Sequence, residues 1–559
     1  MFRFLYNHNP FYVISAGFLL YGVKLVFRPG EVEYVDPWHL LMALSCVTLA
    51  MASAAFGIVR FGKVWEDARS IILVLLLMFL AISVSFDEIL NQQAWDAFRL
   101  LLTGFLFSVA VSEGLMLGLG IRLHWTYQVP YYLLLLLFFG YPVYVSPEFC
   151  EKLNTIVQWR IAMFPVIAGA ITLSLIPAVR RGRQLCEDNG TPWKWPLFPW
   201  CLFVFMGLAV CFRSWSLSVS FDTGRIRTSI REMDAAFGLY LLVPFFLSVL
   251  FVILEVALVE GSAKLKRFVL WAAPVVAIIS IPGLWPNSHQ ETYQRFLASF
   301  IREVGSPIFL ALLGLTAFYA IAWLRGIRSA ENGFVAMCVA AMFVGPRSTS
   351  FSVETIQSWP LVVLGMWMLT WGLVRKSSYY SFLGGSSLAI AFGLNLPGTA
   401  LENWQTTTTF HLILLVVLIC GGLFQDEFSK KLRMLGAAVI PLLFFAALST
   451  GTRFRLTFEL MLLYGAVITG VAFACWGLMK ERLFLYSGVA NCSTASMYGA
   501  WSFYGWLQKL ASPDGVRALV LGMVCFALAL LISAAKGGLL SRFGKKKRPD
   551  PYDPPVIDI

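Results

Sequence analysis

The sequence predicts an all-α protein, a polytopic transmembrane helix bundle of about 16–18 spans. Of its 559 residues, 58% are hydrophobic and only 13% are charged, whereas soluble domains carry about 25% charged residues. Apolar runs recur along almost the whole chain, and every second connector between them is basic. Lipid offers the backbone no hydrogen-bonding partner, so such a chain crosses a bilayer as helices.

A span requires about 20 mostly apolar residues. The candidate spans lie at 10–27, 38–59, 70–86, 98–121, 128–145, 160–178, 197–212, 235–259, 268–285, 304–324, 333–346, 359–374, 379–398, 409–424, 434–449, 457–478, 483–506 and 514–535. Three of them, at 197–212, 333–346 and 359–374, are short enough to be re-entrant, so the count carries a margin of about two.

Lysine and arginine in the connectors set the orientation, because cytoplasmic loops are enriched in these residues. The basic connectors include 60–69, 180–194, 264–267 and 430–433, and a basic tail follows at 545–548. Alternation then places both termini in the cytoplasm, as in a multi-pass protein of the bacterial inner membrane. The net charge of +12 gathers on this face, which predicts the bilayer and the anionic lipid headgroups at the tail as partners, and no nucleic acid. Additional membrane subunits stay open as further partners.

The sequence contains no motif that names a reaction, and we predict neither a cofactor nor a metal. Most cysteines lie in apolar runs, where Cys behaves as a small hydrophobic residue. His39, His289 and His411 fall at predicted outside positions without the spacing of a zinc site. Nucleotide-binding loops are also missing, so energy from ATP hydrolysis would require another subunit.

Two parts of the chain share one pattern. Ser-Val-Ser-Phe-Asp occurs at 83–87 and at 218–222, and each copy precedes a run with one late carboxylate. Weaker copies recur every four helices, which predicts parallel repeats of the kind found in carriers. We therefore divide the chain into four four-helix units, a terminal helix pair and a basic, Pro-rich tail: 1–125, 126–266, 267–376, 377–481, 482–535 and 536–559.

Glu113 and Glu255 lie within apolar runs and are candidate coupling carboxylates. An ionised carboxylate at mid-bilayer costs at least ~2.5 kcal/mol, so each should face a polar cavity or a partner and not lipid. Residues of this kind serve proton or cation relays. The alternative is that both lie close enough to the cytoplasmic end to reach the headgroups or to bond a neighbouring serine.

A second group of charges falls on the predicted outside face. It combines acids with arginines, whose planar fork binds phosphate and carboxylate groups. This candidate polar or anion site consists of Asp87, Glu88, Asp222, Arg225, Arg227 and Arg231. A solvated loop with internal salt bridges is the alternative.

The adjacent acids Asp87 and Glu88 loosely resemble acidic residues on early external loops of polytopic glycosyltransferases that use polyprenyl-phosphate sugars. The first predicted external loop adds Glu31, Glu33 and Asp36. The resemblance implies a membrane-embedded transferase with an outside active site. The large soluble domain that such enzymes often carry is not seen in this sequence.

The activity stays open between different classes. The first prediction is a carrier or flippase for a polar or lipid-linked solute, with Glu113 and Glu255 coupling ions. The second is a transferase that uses the outside acids and arginines, and the third is a non-catalytic membrane scaffold subunit. A central solvated path past both glutamates would favour a carrier, whereas a lateral, outside-facing groove would favour a transferase or a flippase.

Overall fold

The computed structural model describes residue 18 and residues 36–90, 93–146, 154–186, 189–193, 195–221, 236–286, 288–351, 356–398, 404–451, 457–510 and 513–536. Within these ranges the chain is helical apart from turns and connectors, and no strand occurs. The all-α polytopic bundle is therefore confirmed. The predicted first span, residue 18 aside, and the tail after 536 lie outside the described residues.

The chain forms two compact units, residues 1–364 and 365–559. The first unit contains α1 (Pro37–Gly62), α2 (Trp65–Ser85), α3 (Asp87–Leu90), α4 (Ala94–Leu119), α5 (Trp125–Val145), α6 (Asn154–Leu173), α7 (Ile176–Arg181), α8 (Leu197–Phe221), α9 (Val243–Val259), α10 (Ala263–Ile279), α11 (Glu291–Glu303), α12 (Pro307–Leu324) and α13 (Ala330–Met342). The unit boundary falls within α14 (Trp359–Arg375). The second unit continues with α15 (Ser378–Leu394), α16 (Gln405–Leu423), α17 (Glu427–Gly451), α18 (Phe458–Met479), α19 (Arg482–Leu510) and α20 (Pro513–Lys536).

Eleven helices among the described residues are long and apolar enough to cross a membrane. The chain is therefore an integral, multi-pass membrane protein. Every predicted span from 38–59 onward has a counterpart among the described helices, although α13 and α14 are only 13 and 17 residues long. The total of about 16–18 spans and the four-helix repeats stay predictions.

Helix α8 is longer than the apolar run that predicts it. The run ends at residue 212 because Arg213 follows, but the helix continues to Phe221. The extra turns are stable because Arg213 finds a carboxylate partner inside the unit and the hydroxyl of Ser216 bonds back to the helix. The charge that ends the predicted span thus lies within the helix.

The connector between the spans predicted at 268–285 and 304–324 contains a further helix, α11. It is amphipathic: Phe296 is buried, whereas Arg295 on another side of the helix is exposed. Trp159 stacks on Phe300 of this helix with ring centroids 5.7 Å apart. Because its apolar residues form only a stripe, the mean hydropathy of the segment stays low.

Prolines inside two helices free backbone carbonyl groups. Pro274 in α10 has no N–H to donate to the carbonyl of Leu270, four residues earlier. The hydroxyl of Tyr319 in α12 donates to that oxygen at 2.6 Å. Pro142 in α5 frees the carbonyl of Phe138 in the same way. Such bonds join helices, because an unpaired carbonyl is costly in hydrocarbon.

In the second unit, the part of α14 after the boundary packs with its backbone against α15. A Cβ added to Gly384 would lie 2.4 Å from the backbone nitrogen of Leu369, and one added to Gly372 would lie 2.5 Å from that of Ser381. Small residues permit this approach, which is a common basis of helix association in lipid. The hairpin is therefore held by backbone proximity.

Asp426 connects the starts of α15 and α17. Its Oδ1 accepts a hydrogen bond from the N–H of Ser429 at 2.8 Å. The same carboxylate accepts the N–H of Ser378 at 3.0 Å and its hydroxyl at 2.5 Å. Burial raises the pKa of Asp426, but the hydrogen bonds from Ser378 and Ser429 outweigh it and hold the pKa below its ordinary value of 3.8.

Candidate functional site

The first unit contains an apolar cavity of about 80 Å³ between α2, α4, α5 and α8. Most of its wall is hydrocarbon, including Leu73, Leu76, Phe79, Leu115, Met116 and Leu202. Several of these side chains are only half-buried. A cavity with such walls favours apolar groups over a hydrated solute.

The connector before α8 supplies one wall of the cavity. Trp193 packs edge-on against Trp65 with ring centroids 5.5 Å apart and lies 6.0 Å from Phe198. The buried side-chain amide of Asn189 stabilises the turn that leads to Trp193. The Nδ2 of Asn189 donates to the carbonyl of Trp193 at 3.0 Å, and its Oδ1 accepts from the N–H of Thr191 at 2.8 Å. The indole is thus positioned by local hydrogen bonds.

This connector lies directly against the one between α4 and α5. The N–H of Arg122 donates to the carbonyl of Asn189 at 2.8 Å. Gly190 has a φ of 74°, and a Cβ there would lie 1.8 Å from the carbonyl oxygen of Gly120. Only glycine fits this contact. Two connectors that the sequence predicts to be cytoplasmic therefore meet at one end of the cavity.

Two side-chain pairs join α4 to α5 beside the cavity. The hydroxyls of Ser112 and Tyr131, both of which line the cavity, lie 2.8 Å apart. One residue along each helix, the hydroxyl of Tyr132 donates to Oε1 of Glu113 at 2.5 Å. Glu113 is half-buried. Its partner is thus a tyrosine of the next helix. Glu113 follows Ser112 in the chain but does not itself belong to the described lining of the cavity.

Arg69 is the only charged residue in the described lining of the cavity. It lies in the second turn of α2 and is half-buried. No ion pair joins it to a described carboxylate. A guanidinium that no described carboxylate pairs, beside an apolar cavity, is suited to a phosphate or carboxylate group.

Asp87 and Arg213 form a buried ion pair at the other end of α2. Their side chains are 1% and 0% exposed. The contact is bidentate, with Nη1 of Arg213 at 2.5 Å from Oδ2 and Nη2 at 2.9 Å from Oδ1 of Asp87. This is the strongest geometry for such a pair.

The remaining N–H groups of Arg213 are bonded as well. Its Nε and Nη2 donate to the carbonyl of Phe138, which Pro142 leaves free, at 3.3 and 3.2 Å. Further bonds go to the carbonyl of Ser83 at 3.3 Å and to the hydroxyl of Ser216 at 3.2 Å. The pair therefore joins α2, α3, α5 and α8.

The predicted outside anion site looks different in the structure. Asp87 is not an exposed acid, because the helix carrying Arg213 brings a cation to it and both are buried. Glu88, the next residue, is exposed and has a polar partner of its own. The other predicted members lie outside the described residues: Asp222, Arg225, Arg227 and Arg231. The structure thus describes no assembled anion site on this face.

Glu255 connects three helices of the first unit. Its Oε1 accepts from Arg180 at 3.1 Å and its Oε2 from Arg325 at 2.9 Å. The glutamate side chain is 10% exposed, whereas the two arginines are 55% and 42% exposed. Glu255 does not belong to the described lining of the cavity. Through its two guanidinium partners, Glu255 links the ends of α7, α9 and α12.

Sequence reasoning missed the cavity, Arg69 as its cation, and the tyrosine partners of α5. Arg69 looks like a loop residue because the apolar run begins after it, but α2 starts at Trp65. A signal was present in the spacing of Tyr131 and Tyr132, which an antiparallel hairpin brings level with Ser112 and Glu113.

Within the described part of the chain, no three histidines, cysteines or acids lie close enough to hold a metal ion. His411 is bonded to protein groups, with Nε2 at 2.7 Å from the hydroxyl of Tyr464 and Nδ1 at 2.6 Å from the carbonyl of Thr407. That the protein uses no metal and no cofactor stays a prediction.

No protein family, curated protein or solved structure matches this chain.

Proposed function

We propose that this protein is a flippase-type carrier for an anionic, lipid-linked solute. The observation that carries the proposal is the apolar cavity of the first unit with Arg69 at one end. The hydrocarbon wall would hold the lipid chain, and Arg69 would contact the phosphate or carboxylate that links chain and solute. This is the division of roles that lipid-linked phosphates require of a binding site.

Glu113 is the better candidate for coupling of the two glutamates. It lies one residue from Ser112 in the cavity wall and is bonded to the hydroxyl of Tyr132, a partner without charge. Glu255, in contrast, already shares two arginines. Because the partner of Glu113 carries no charge, a change in the charge of this carboxylate would break no ion pair.

A transferase based on Asp87 receives less support. The carboxylate is bound on both oxygens by Arg213, so it has no oxygen directed to a substrate. Asp87 also lies 18 residues beyond Arg69, about 27 Å along the helical direction. Arg69 and Asp87 therefore lie at opposite ends of the segment formed by α2 and the short helix α3.

The experiment is a transbilayer movement assay with the purified, reconstituted protein. Fluorescent phosphatidylglycerol and a fluorescent polyprenyl phosphate serve as probes, and a membrane-impermeant reductant reports the outer-leaflet fraction. We expect movement above protein-free vesicles for at least one probe. Arg69→Gln should slow it about tenfold or more, since a charge-assisted hydrogen bond contributes about 1.5 kcal/mol or more. Leu73→Trp, which fills the cavity, should slow it as well.

Matched variants separate this effect from general damage. Arg122→Gln removes an exposed cation at the same end, and Leu106→Trp adds the same bulk at an exposed position of α4. Both should keep the wild-type rate and the same monodisperse elution. Movement of no anionic lipid, or equal rates for Arg69→Gln and Arg122→Gln, would contradict the proposal.

Coupling by Glu113 is tested in the same vesicles. The rate of the wild type should depend on an imposed pH difference. Glu113→Gln keeps the shape and the bond to Tyr132, so it should remove this dependence while the protein stays folded. If Glu113→Gln follows the wild-type pH response, Glu113 has only a structural role.

A further inference from the structure

The start of α10 presents two cations and two aromatic side chains on one helix face. Lys264, Arg267, Phe268 and Trp271 are spaced as neighbours along a helix and line a surface groove of about 380 Å³. Phe268 is 61% exposed and Trp271 is 77% exposed. We infer that this groove binds an anionic phospholipid, with the phosphate on Lys264 and Arg267 and an acyl chain along the aromatic side chains.

The two cations lack a described counter-charge. No ion pair joins Lys264 or Arg267 to a described carboxylate. The nearby carboxylate of Glu255 is already shared by Arg180 and Arg325. No ion pair among the described residues therefore neutralises Lys264 or Arg267, and a phosphate from a ligand can balance their charge.

The rest of the helix explains why the ligand is a lipid and not a free anion. Below the cations, the same face continues with Val275 and Ile278, which are 48% and 55% exposed. The opposite face is covered by the unit, since Val269, Ala273 and Val276 are buried. Lys264 and Ile278 are 14 residues apart, about 21 Å along the helix, which is enough for a phosphate and most of an extended acyl chain.

The residue types also fit the two parts of a phospholipid. Lysine supplies a compact positive charge, and arginine supplies a planar fork that binds two phosphate oxygens. Tryptophan is the residue that lies at the boundary between headgroups and acyl chains. The order along the helix, with cations first, aromatic rings next and aliphatic side chains last, repeats the order of chemistry along the lipid.

The test is binding of defined lipids to the full-length protein in detergent, measured by native mass spectrometry. Phosphatidylglycerol should bind, and phosphatidylcholine with the same chains should bind at least tenfold more weakly. The double variant Lys264→Gln/Arg267→Gln should bind phosphatidylglycerol roughly 30-fold more weakly, because each basic residue near the surface contributes about 1 kcal/mol.

A matched control removes the same charge from the same end. Lys266→Gln/Arg328→Gln changes two cations that do not line the groove, so phosphatidylglycerol affinity should stay within about twofold of the wild type. Trp271→Ala should weaken binding of phosphatidylglycerol with long chains but not of its dihexanoyl form. That difference distinguishes acyl-chain contact from headgroup contact.

Three outcomes would overturn the inference. The first is equal binding of phosphatidylglycerol and phosphatidylcholine. The second is equal loss in the two double variants, which would indicate general charge attraction. The third is competition by inorganic phosphate at the concentration of the lipid, which would indicate a site for a free anion. None of these results depends on Arg69 or on lipid movement.

Discussion

Arg213 shows how an arginine can lie fully buried in a membrane protein. Its Nη1 and Nη2 groups donate to both oxygens of Asp87, to the carbonyls of Ser83 and Phe138 and to the hydroxyl of Ser216, and its Nε donates to the carbonyl of Phe138 as well. An arginine has five N–H groups, and these contacts use all of them. Removing two charges from water is expensive, and only such complete bonding offsets the cost.

We expect Arg213→Met to be strongly destabilising, because it leaves Asp87 buried without a partner. A loss of about 3–5 kcal/mol is typical for this change. The double variant Asp87→Leu/Arg213→Met removes both charges and should recover part of the loss, but not all, since the carbonyl of Phe138 stays unpaired. Thermal unfolding in detergent measures the relative stability of the wild type, the double variant and the single variant. A single variant as stable as the wild type would show that the pair does not hold the unit together.

Asp426 provides a prediction about pH. Asp426→Asn keeps an acceptor for Ser429 but turns an NH₂ group toward the N–H of Ser378, so we expect a loss of about 1 kcal/mol at pH 7. The folded-state pKa lies below the ordinary value of 3.8, so the stabilisation is complete above that value and is lost as the pH falls through the folded-state pKa.

The Tm difference between the wild type and Asp426→Asn should therefore be constant from about pH 7 to 5 and shrink below about pH 4. Glu427→Gln, which removes the neighbouring exposed carboxylate, should change Tm less at every pH. A constant difference down to pH 3 would show that the carboxylate charge is not involved.

At the scale of single helices, an apolar run predicts where in the sequence a helix lies better than it predicts the residues at which the helix begins and ends. The run behind α8 stops at Arg213 and the run behind α2 starts after Arg69, yet both charges lie inside the helices. A hydropathy pattern cannot include a charged residue whose partner comes from another helix. Amphipathic α11 is missed for a related reason, since its apolar face is covered by aromatic residues distant in sequence.

Packing between α14 and α15 predicts a position that tolerates no side chain. Gly384→Ala places a Cβ 2.4 Å from the backbone nitrogen of Leu369, and neither backbone can move without shifting its helix. We expect a loss of about 1–3 kcal/mol, as for other overpacked sites. Gly470→Ala in α18 is the control, because no atom lies within 4 Å of the added Cβ. Equal unfolding temperatures for the two variants would contradict the close approach.

At the scale of the molecule, contacts in the first unit bring together connectors that the charge pattern assigns to one side. Glu255 joins Arg180 to Arg325, and Arg122 bonds to Asn189. At the opposite end, Arg213 reaches Asp87. In this unit, connectors that are in contact are thus also assigned to the same side of the membrane by the charge pattern. Which side faces the cytoplasm stays a prediction.

Cysteine labelling tests which end of the first unit faces the cytoplasm. In a variant without native cysteines, His289→Cys should react with a membrane-impermeant maleimide in intact cells, because it lies in a predicted outside connector and is exposed. Arg181→Cys, exposed on the basic face, should react only after the membrane is opened. Labelling of Arg181→Cys in intact cells would reverse the topology.

The sequence by itself determined the class of this protein: an all-α, multi-pass membrane protein. Composition and connector charge suffice for this, because the bilayer imposes length, polarity and backbone pairing on each helix separately. Glu113 and Glu255 are also recognisable from sequence alone, since a carboxylate in an apolar run needs a partner wherever the helix lies.

Only the tertiary structure decided what those partners are. The sequence does not show that α8 brings Arg213 to Asp87, or that Arg180 and Arg325 both pair with Glu255. A coupling role of Glu255 stays a prediction. The cavity beside Arg69 likewise exists only where four helices meet. The physical reason is that the hydropathy of a helix depends only on its own residues, whereas ion pairing and cavity shape depend on how several helices pack together.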